Sequence, residues 1–194
     1  MPTKKKNKTL KNEDKKLIEE IIRVDHAGEH GATQIYRGQL AVFKENTEFG
    51  KEIKEMADQE EIHKSTFDEY IVKENVKPTA LFPFWNLAGY ALGLGTALMG
   101  KKAAMACTVA VEEVIGQHYD EQAKELSQRK IKPDLLKTVK KFNLVRQLNK
   151  NSFLSIFIIF FELGRPRATW GTGRNRFWQI FNKIQHLSLK NIHF

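Results

Sequence analysis

A chain of 194 residues is long enough for one domain with a sizeable core, and 41% apolar with 28% charged residues is the composition of a globular protein. The single cysteine, Cys107, excludes an intramolecular disulfide and a zinc site built from this chain's cysteines, and makes a reduced, intracellular setting the expectation. The net charge of +9 is lopsided: residues 142–194 carry eight Lys+Arg against the one acid Glu162, whereas the first 141 residues hold 24 basic and 22 acidic side chains.

In chain order, Met1 to Lys11 is lysine-rich with no apolar stretch after it, so we expect a solvated basic extension over residues 1–11 and no secretory signal. The early acids Glu13, Asp14, Glu19 and Glu20 argue against a mitochondrial presequence. Asn12 is the expected cap of a first helix, whose stripe Ile18, Ile22, Asp25, Glu29, Ala32, Tyr36, Leu40, Phe43 recurs at spacings of three and four. Phe49, Ile53, Met56, Glu60, His63, Phe67 and Ile71 form a second stripe. The short linker Lys44 to Glu48 makes the two helices antiparallel neighbours, and Lys77-Pro78 closes the second.

Ala80 to Gly100 then runs 21 residues without a charge, enough to cross a bilayer as one straight helix. Pro83, Asn86 and glycines 89, 93, 95 and 100 argue instead for a segment lying in a membrane interface or lining an apolar pocket, with a plain core helix as the third reading. Met105, Thr108, Glu112, Ile115, Tyr119, Gln122 and Leu126 make a third long stripe. Helical spacing gives out after Lys141. Beyond it lie the apolar run Phe153 to Phe161, too short to span a membrane, and a Gly- and Arg-rich stretch. Arg165, Arg167, Arg174 and Arg176 sit in no recognition motif, so no nucleic-acid partner is expected.

Chemistry enters where ionisable groups interrupt the apolar stripes. A buried, unpaired carboxylate costs several kcal/mol or takes up a proton, and a shared cation is the simplest partner for several together. Glu29, Glu60 with His63, and Glu112 occupy such positions on three of four expected helices. Glu60 and His63 form a Glu-x-x-His, a weak signal alone, whose i, i+3 spacing puts both donors on one face. Glu113 competes with Glu112 but falls on another face of its helix. The set is three quarters of the ferritin-like di-metal recipe, one Glu from each of two helices and a Glu-x-x-His from each of two others. His26 and His30 lie off the main stripe and read as supporting or surface residues; Asp25, on the stripe, either orients a histidine or is solvated at the bundle end.

The segments Ile22 to Ala32 (IRVDHAGEHGA), Gln59-Glu-Glu-Ile-His63 and Ala106-Cys-Thr-Val-Ala-Val-Glu-Glu113 leading to His118-Tyr119 resemble the motifs of the demethoxyubiquinone hydroxylases, di-iron carboxylate enzymes of ubiquinone biosynthesis. The resemblance covers roughly the first 140 residues. It implies an all-α, ferritin-like antiparallel helix bundle over residues 12–141 with a hydrophobic membrane-docking segment, and a monooxygenase that uses iron and O2 to hydroxylate a demethoxyubiquinone-type quinone. Also implied are Glu29 as terminal ligand to the first iron, Glu60 as bridging carboxylate, His63 as nitrogen ligand and Glu112 as ligand to the second iron. His118 and Tyr119 match positions linked to reductant or quinone handling. An external electron donor such as NADH, a membrane surface, other ubiquinone-biosynthesis proteins as partners, and a peripheral place on the matrix side of the mitochondrial inner membrane follow from the same resemblance.

Residues 142–194 depart from that pattern, and form an atypical basic tail. The second Glu-x-x-His is expected on a fourth helix soon after Phe142, yet Glu162 is followed at i+3 by Arg165, and His186 and His193 have no glutamate at helical spacing before them. The expectation is an alternative exon, a read-through or a gene-model artefact beyond Phe142. A catalytically impaired isoform, acting as a quinone- or lipid-binding or scaffold partner in the ubiquinone-biosynthesis complex, is therefore the alternative to an active hydroxylase.

Overall fold

A computed structural model describes residues 11–162, and the side chains of residues 11–148. The basic extension before Lys11, the four arginines from Arg165 to Arg176, and His186 and His193 lie outside the described residues. Within them the fold is all-α, as expected, with five helices and no strand: α1 Asn12–Leu40, α2 Glu48–Lys73, α3 Phe82–Leu98, α4 Lys101–Arg129 and α5 Pro133–Glu162.

The helix ends follow local chemistry. Thr47 caps α2, its hydroxyl accepting from the Gly50 amide at 3.0 Å, while Glu13 and Asp14 place negative charge at the N-terminus of α1. The N-cap of α1 is Lys11 and not Asn12, which is already helical; the Lys11 side chain makes no capping bond. The left-handed residue Asn75 follows α2, before Pro78 is reached, and Lys130 and Lys132, both left-handed, turn the chain from α4 into α5. Pro133 opens α5, where a missing amide costs nothing.

Two apolar clusters fix the arrangement. At one end Ile18, Ile21 and Ile22 of α1 meet Phe67 and Tyr70 of α2, Tyr119 and Leu126 of α4, and Leu135, Val139 and Phe142 of α5. At the other, Tyr36 of α1 meets Phe49, Ile53 and Met56 of α2 and Met105 of α4. The start of α1 thus faces the end of α2, and the end of α4 the start of α5, so both hairpins are antiparallel. Between the clusters lies a layer of buried ionisable side chains.

Where sequence spacing was read as ending at Lys141, the helix continues. Leu135, Val139, Phe142 and Arg146 follow one another at spacings of four, three and four and are all buried, so one face of α5 runs inward past Phe142.

α3 crosses α1 on a seam of small residues. Gly89, Gly93 and Ala97 are its buried positions, and a Cβ on Gly93 would land on the Ile35 carbonyl, one on Gly38 against the backbone of Tyr90 and Leu94. Its large side chains face outward: Phe84, Trp85, Leu87 and Leu92 are exposed. No helix among the described residues is long and apolar enough to cross a membrane, and the 17 residues of α3 are too few for a straight span.

Candidate metal centre

The four residues singled out as metal ligands come together in the layer between the apolar clusters. Glu29 enters from α1, Glu60 and His63 from α2 and Glu112 from α4, all 4% exposed or less. One ligand atom each from Glu29, Glu60 and His63 lies within 4.8 Å of the others. His63 Nδ1 is 3.8 Å from Glu29 and 3.6 Å from Glu60, and is buried without a hydrogen-bond partner. The ring is fixed by stacking on Phe142, centroids 3.9 Å apart. Glu113, the competing choice on α4, is exposed.

A residue the sequence analysis did not single out sits in the middle. Arg146 of α5 is 1% exposed, and its Nη2 donates to Glu29 at 2.5 Å and to Glu60 at 2.6 Å, while Nη1 donates to Glu112 at 2.7 Å. Its Nε is buried with no acceptor, and the guanidinium lies 5.7 Å from the centroid of the Tyr119 ring. The signal that could have found it is the one that found the glutamates: a charged residue on a buried stripe, here Leu135, Val139, Phe142, Arg146.

Two phenols complete the layer. Tyr36 donates to Glu112 at 2.9 Å and Tyr119 donates to Glu29. Tyr119 and His118, paired in the sequence reading, part company: Tyr119 is in the core and His118 is exposed. Asp25 is 3% exposed and accepts from Gln122 at 2.6 Å. His26, also buried, shares a hydrogen bond of 2.9 Å with Asp68, and His30 lies 3.6 Å from the same carboxylate; Phe82 of α3 covers both imidazoles. His26, His30 and Asp68 form a second group of three possible donors, although Asp68 is also paired with Lys64.

Burial sets the protonation of the layer. It raises the Glu29 carboxyl to about 7 against the opposing charge of Arg146, with the nearby Glu60 charge pushing the same way as burial. Burial also acts to raise Glu60, but Arg146, with help from His63, outweighs it and leaves the pKa below the ordinary value. Glu60 is thus the ionised partner, and Glu29 the one that keeps a proton towards neutrality. Asp25 is raised well above its usual range by burial, against the hydrogen bond from Gln122. Burial works against the charge on Arg146, yet Glu112, Glu29 and Glu60 together hold it protonated.

The fit to a metal follows from these contacts. Glu29, Glu60 and His63 suit one divalent ion, since three buried oxygen and nitrogen donors converge and one of them, His63 Nδ1, has nothing else to bind. A second ion does not fit with the first. The space bounded by Glu112 and by oxygens of Glu29 and Glu60 holds the Arg146 guanidinium, and α5 contributes a cation where the di-metal recipe calls for a carboxylate and an imidazole.

Comparison with known proteins places these residues in a wider set. Residues 16–145 match the family of the ubiquinone biosynthesis protein COQ7. Over 136 residues, 69% of this chain and 62% of the relative, the sequence is 51% identical to the mitochondrial NADPH-dependent 3-demethoxyubiquinone 3-hydroxylase of Bos taurus. It is 55% identical over 129 residues to the protein of the same name from Dictyostelium discoideum, covering 66% of this chain and 59% of that one. With the 3-demethoxyubiquinol 3-hydroxylase of Rhodospirillum rubrum it shares 52% identity over 106 residues, 55% of this chain and 50% of the relative. The matched part thus spans half to three fifths of these curated relatives.

Proposed function

The chain belongs to the COQ7 family of ubiquinone biosynthesis proteins, and from that premise we propose that it acts on a demethoxyubiquinone-type quinone as an O2-dependent ring hydroxylase. The observation that carries this reading is the buried convergence of Glu29, Glu60 and His63, joined by Glu112, on three helices. Iron held by Glu29, Glu60 and His63 would supply the oxygen activation. The chain's own residues would do the rest: Tyr119 fixes one oxygen of Glu29, Phe142 orients the His63 ring, and the two apolar clusters keep bulk water from the layer.

The isoprenoid tail of such a substrate needs an apolar berth. The exposed large side chains of α3, among them Phe84, Trp85 and Leu87, support a peripheral contact with a membrane in which that tail is dissolved. The names of the eukaryotic relatives support a mitochondrial setting, which we extend to the matrix side of the inner membrane. They also favour NADPH over NADH as electron source, with other ubiquinone-biosynthesis proteins as partners.

One observation favours a second reading. With Arg146 on three of the carboxylates, the chain is suited to bind a quinone without oxidising it, as a lipid-binding or scaffold partner in the same pathway. The deciding assay loads the full chain with Fe(II) anaerobically, then adds demethoxyubiquinone, NADPH and O2 and looks by mass spectrometry for a product heavier by one oxygen. Hydroxylated quinone supports the first reading; quenching of tryptophan fluorescence by the quinone with no product supports the second.

A further inference from the structure

We infer that Arg146 is a built-in cation standing where a second metal ion would be, so that this chain closes its carboxylate layer without a divalent ion and accepts at most one, at Glu29, Glu60 and His63. The inference rests on the placement of Arg146 and does not depend on whether the chain hydroxylates a quinone.

Three buried carboxylates on α1, α2 and α4 have no other cationic side chain within ion-pair distance among the described residues except His63, whose ring nitrogen stands 3.6 and 3.8 Å from Glu60 and Glu29. Left alone they would repel one another or take up protons. The guanidinium meets the requirement in one group. It is flat, keeps its charge in a buried site, and presents separate N–H bonds, so one nitrogen can serve Glu29 and Glu60 while the other serves Glu112. A divalent ion between these oxygens would need the same lone pairs that the N–H bonds occupy. Guanidinium and second ion therefore exclude each other by volume and by charge.

Further observations agree with a resident side chain. Tyr119 offers its ring face to the guanidinium, and Phe142, one turn before Arg146 on α5, is clamped between His63 and Phe67, which fixes the register of the helix that delivers it. The proton kept by Glu29 reduces the excess of negative charge that one guanidinium leaves.

The test uses the full chain, purified with and without EDTA, anaerobic titration with Fe(II) and separately with Mn(II), metal analysis after gel filtration, and thermal melts. The parent should hold no ion or one per chain, and its melting temperature should not change with EDTA. In Arg146→Ala the three carboxylates lose their cation, so the EDTA-treated variant should melt earlier than the parent, Mn(II) should restore part of the loss, and Mn(II) affinity should rise by about tenfold or more. If Arg146→Ala does not fold, Arg146→Met combined with Glu29→Gln and Glu112→Gln keeps a side chain of similar length in a layer with less charge. That variant should fold in EDTA and bind less metal than the parent. Two tightly held ions per parent chain would overturn the inference, as would an Arg146→Ala protein that melts with the parent in EDTA.

Discussion

Replacing Gly93 by alanine tests whether α1 and α3 are held by backbone contact. The new Cβ would fall on the Ile35 carbonyl, with the Ile35 carbonyl carbon at 2.7 Å and its Cα at 2.9 Å. Carbon atoms sit at about 3.5–4.0 Å in ordinary contact, so the helices must separate by roughly 1 Å. No side chain can rotate away, because the obstructing atoms are main chain. That separation would also open the contacts of Gly38 with Leu94 and of Gly89 with Gly31. Overpacking of this kind costs about 1–3 kcal/mol, while alanine in place of glycine in a helix returns about 1 kcal/mol, so a loss of roughly 1–2 kcal/mol is expected when several seam contacts go together. Gly95 is the internal control: it lies on the same helix with nothing within 4 Å of its Cβ position, and Gly95→Ala should stabilise by about 0.5–1 kcal/mol. Urea unfolding of the parent and both variants reads the difference as a midpoint shift at constant slope. A Gly93→Ala protein as stable as Gly95→Ala would refute the argument that backbone contact sets the crossing.

Phe142→Ala removes a side chain that is 4% exposed and stacks on His63; it should cost about 3–5 kcal/mol in urea unfolding. Burial, with the charges of Glu48 and Glu55, raises Glu52 to about 7 against the help of Lys101. Its folded pKa therefore lies above its unfolded one, and stability is lost as pH rises from about 4.5 to about 7. Glu52→Gln should leave melting almost unchanged at pH 5 and raise it at pH 8, and a gap that does not grow with pH would contradict the assignment. Replacing Phe84 and Trp85 together by serine should lower flotation with phosphatidylcholine–phosphatidylserine vesicles while leaving the melting temperature unchanged, since both side chains face solvent.

The helical part of the fold was legible because stripe spacing is a local property. Glu29, Glu60, His63 and Glu112 stood out for the same reason: each interrupts an apolar series at positions three and four apart. Arg146 continues such a series, but its meaning depends on partners 34, 86 and 117 residues away, and local spacing says nothing of those. The pairing of His26 with Asp68 was hidden likewise by a separation of 42 residues. In α3 the large apolar residues drew the eye, whereas the packing is made by Gly89, Gly93 and Ala97; which face of so uniformly apolar a helix turns inward is decided by the shape of α1. Lys11 displaced Asn12 as the cap because α1 begins one residue earlier than an Asn cap would require.

A charge shared among four helices also governs how the bundle comes apart. The same guanidinium bonds to α1, α2 and α4, so none of the three can swing away without disturbing the balance felt by the other two, and a single excursion of α5 releases all of them. Amide protons beside Glu29, Glu60 and Glu112 should then exchange with solvent at one common rate, as a single cooperative unit that the loosely held outer face of α3 does not join.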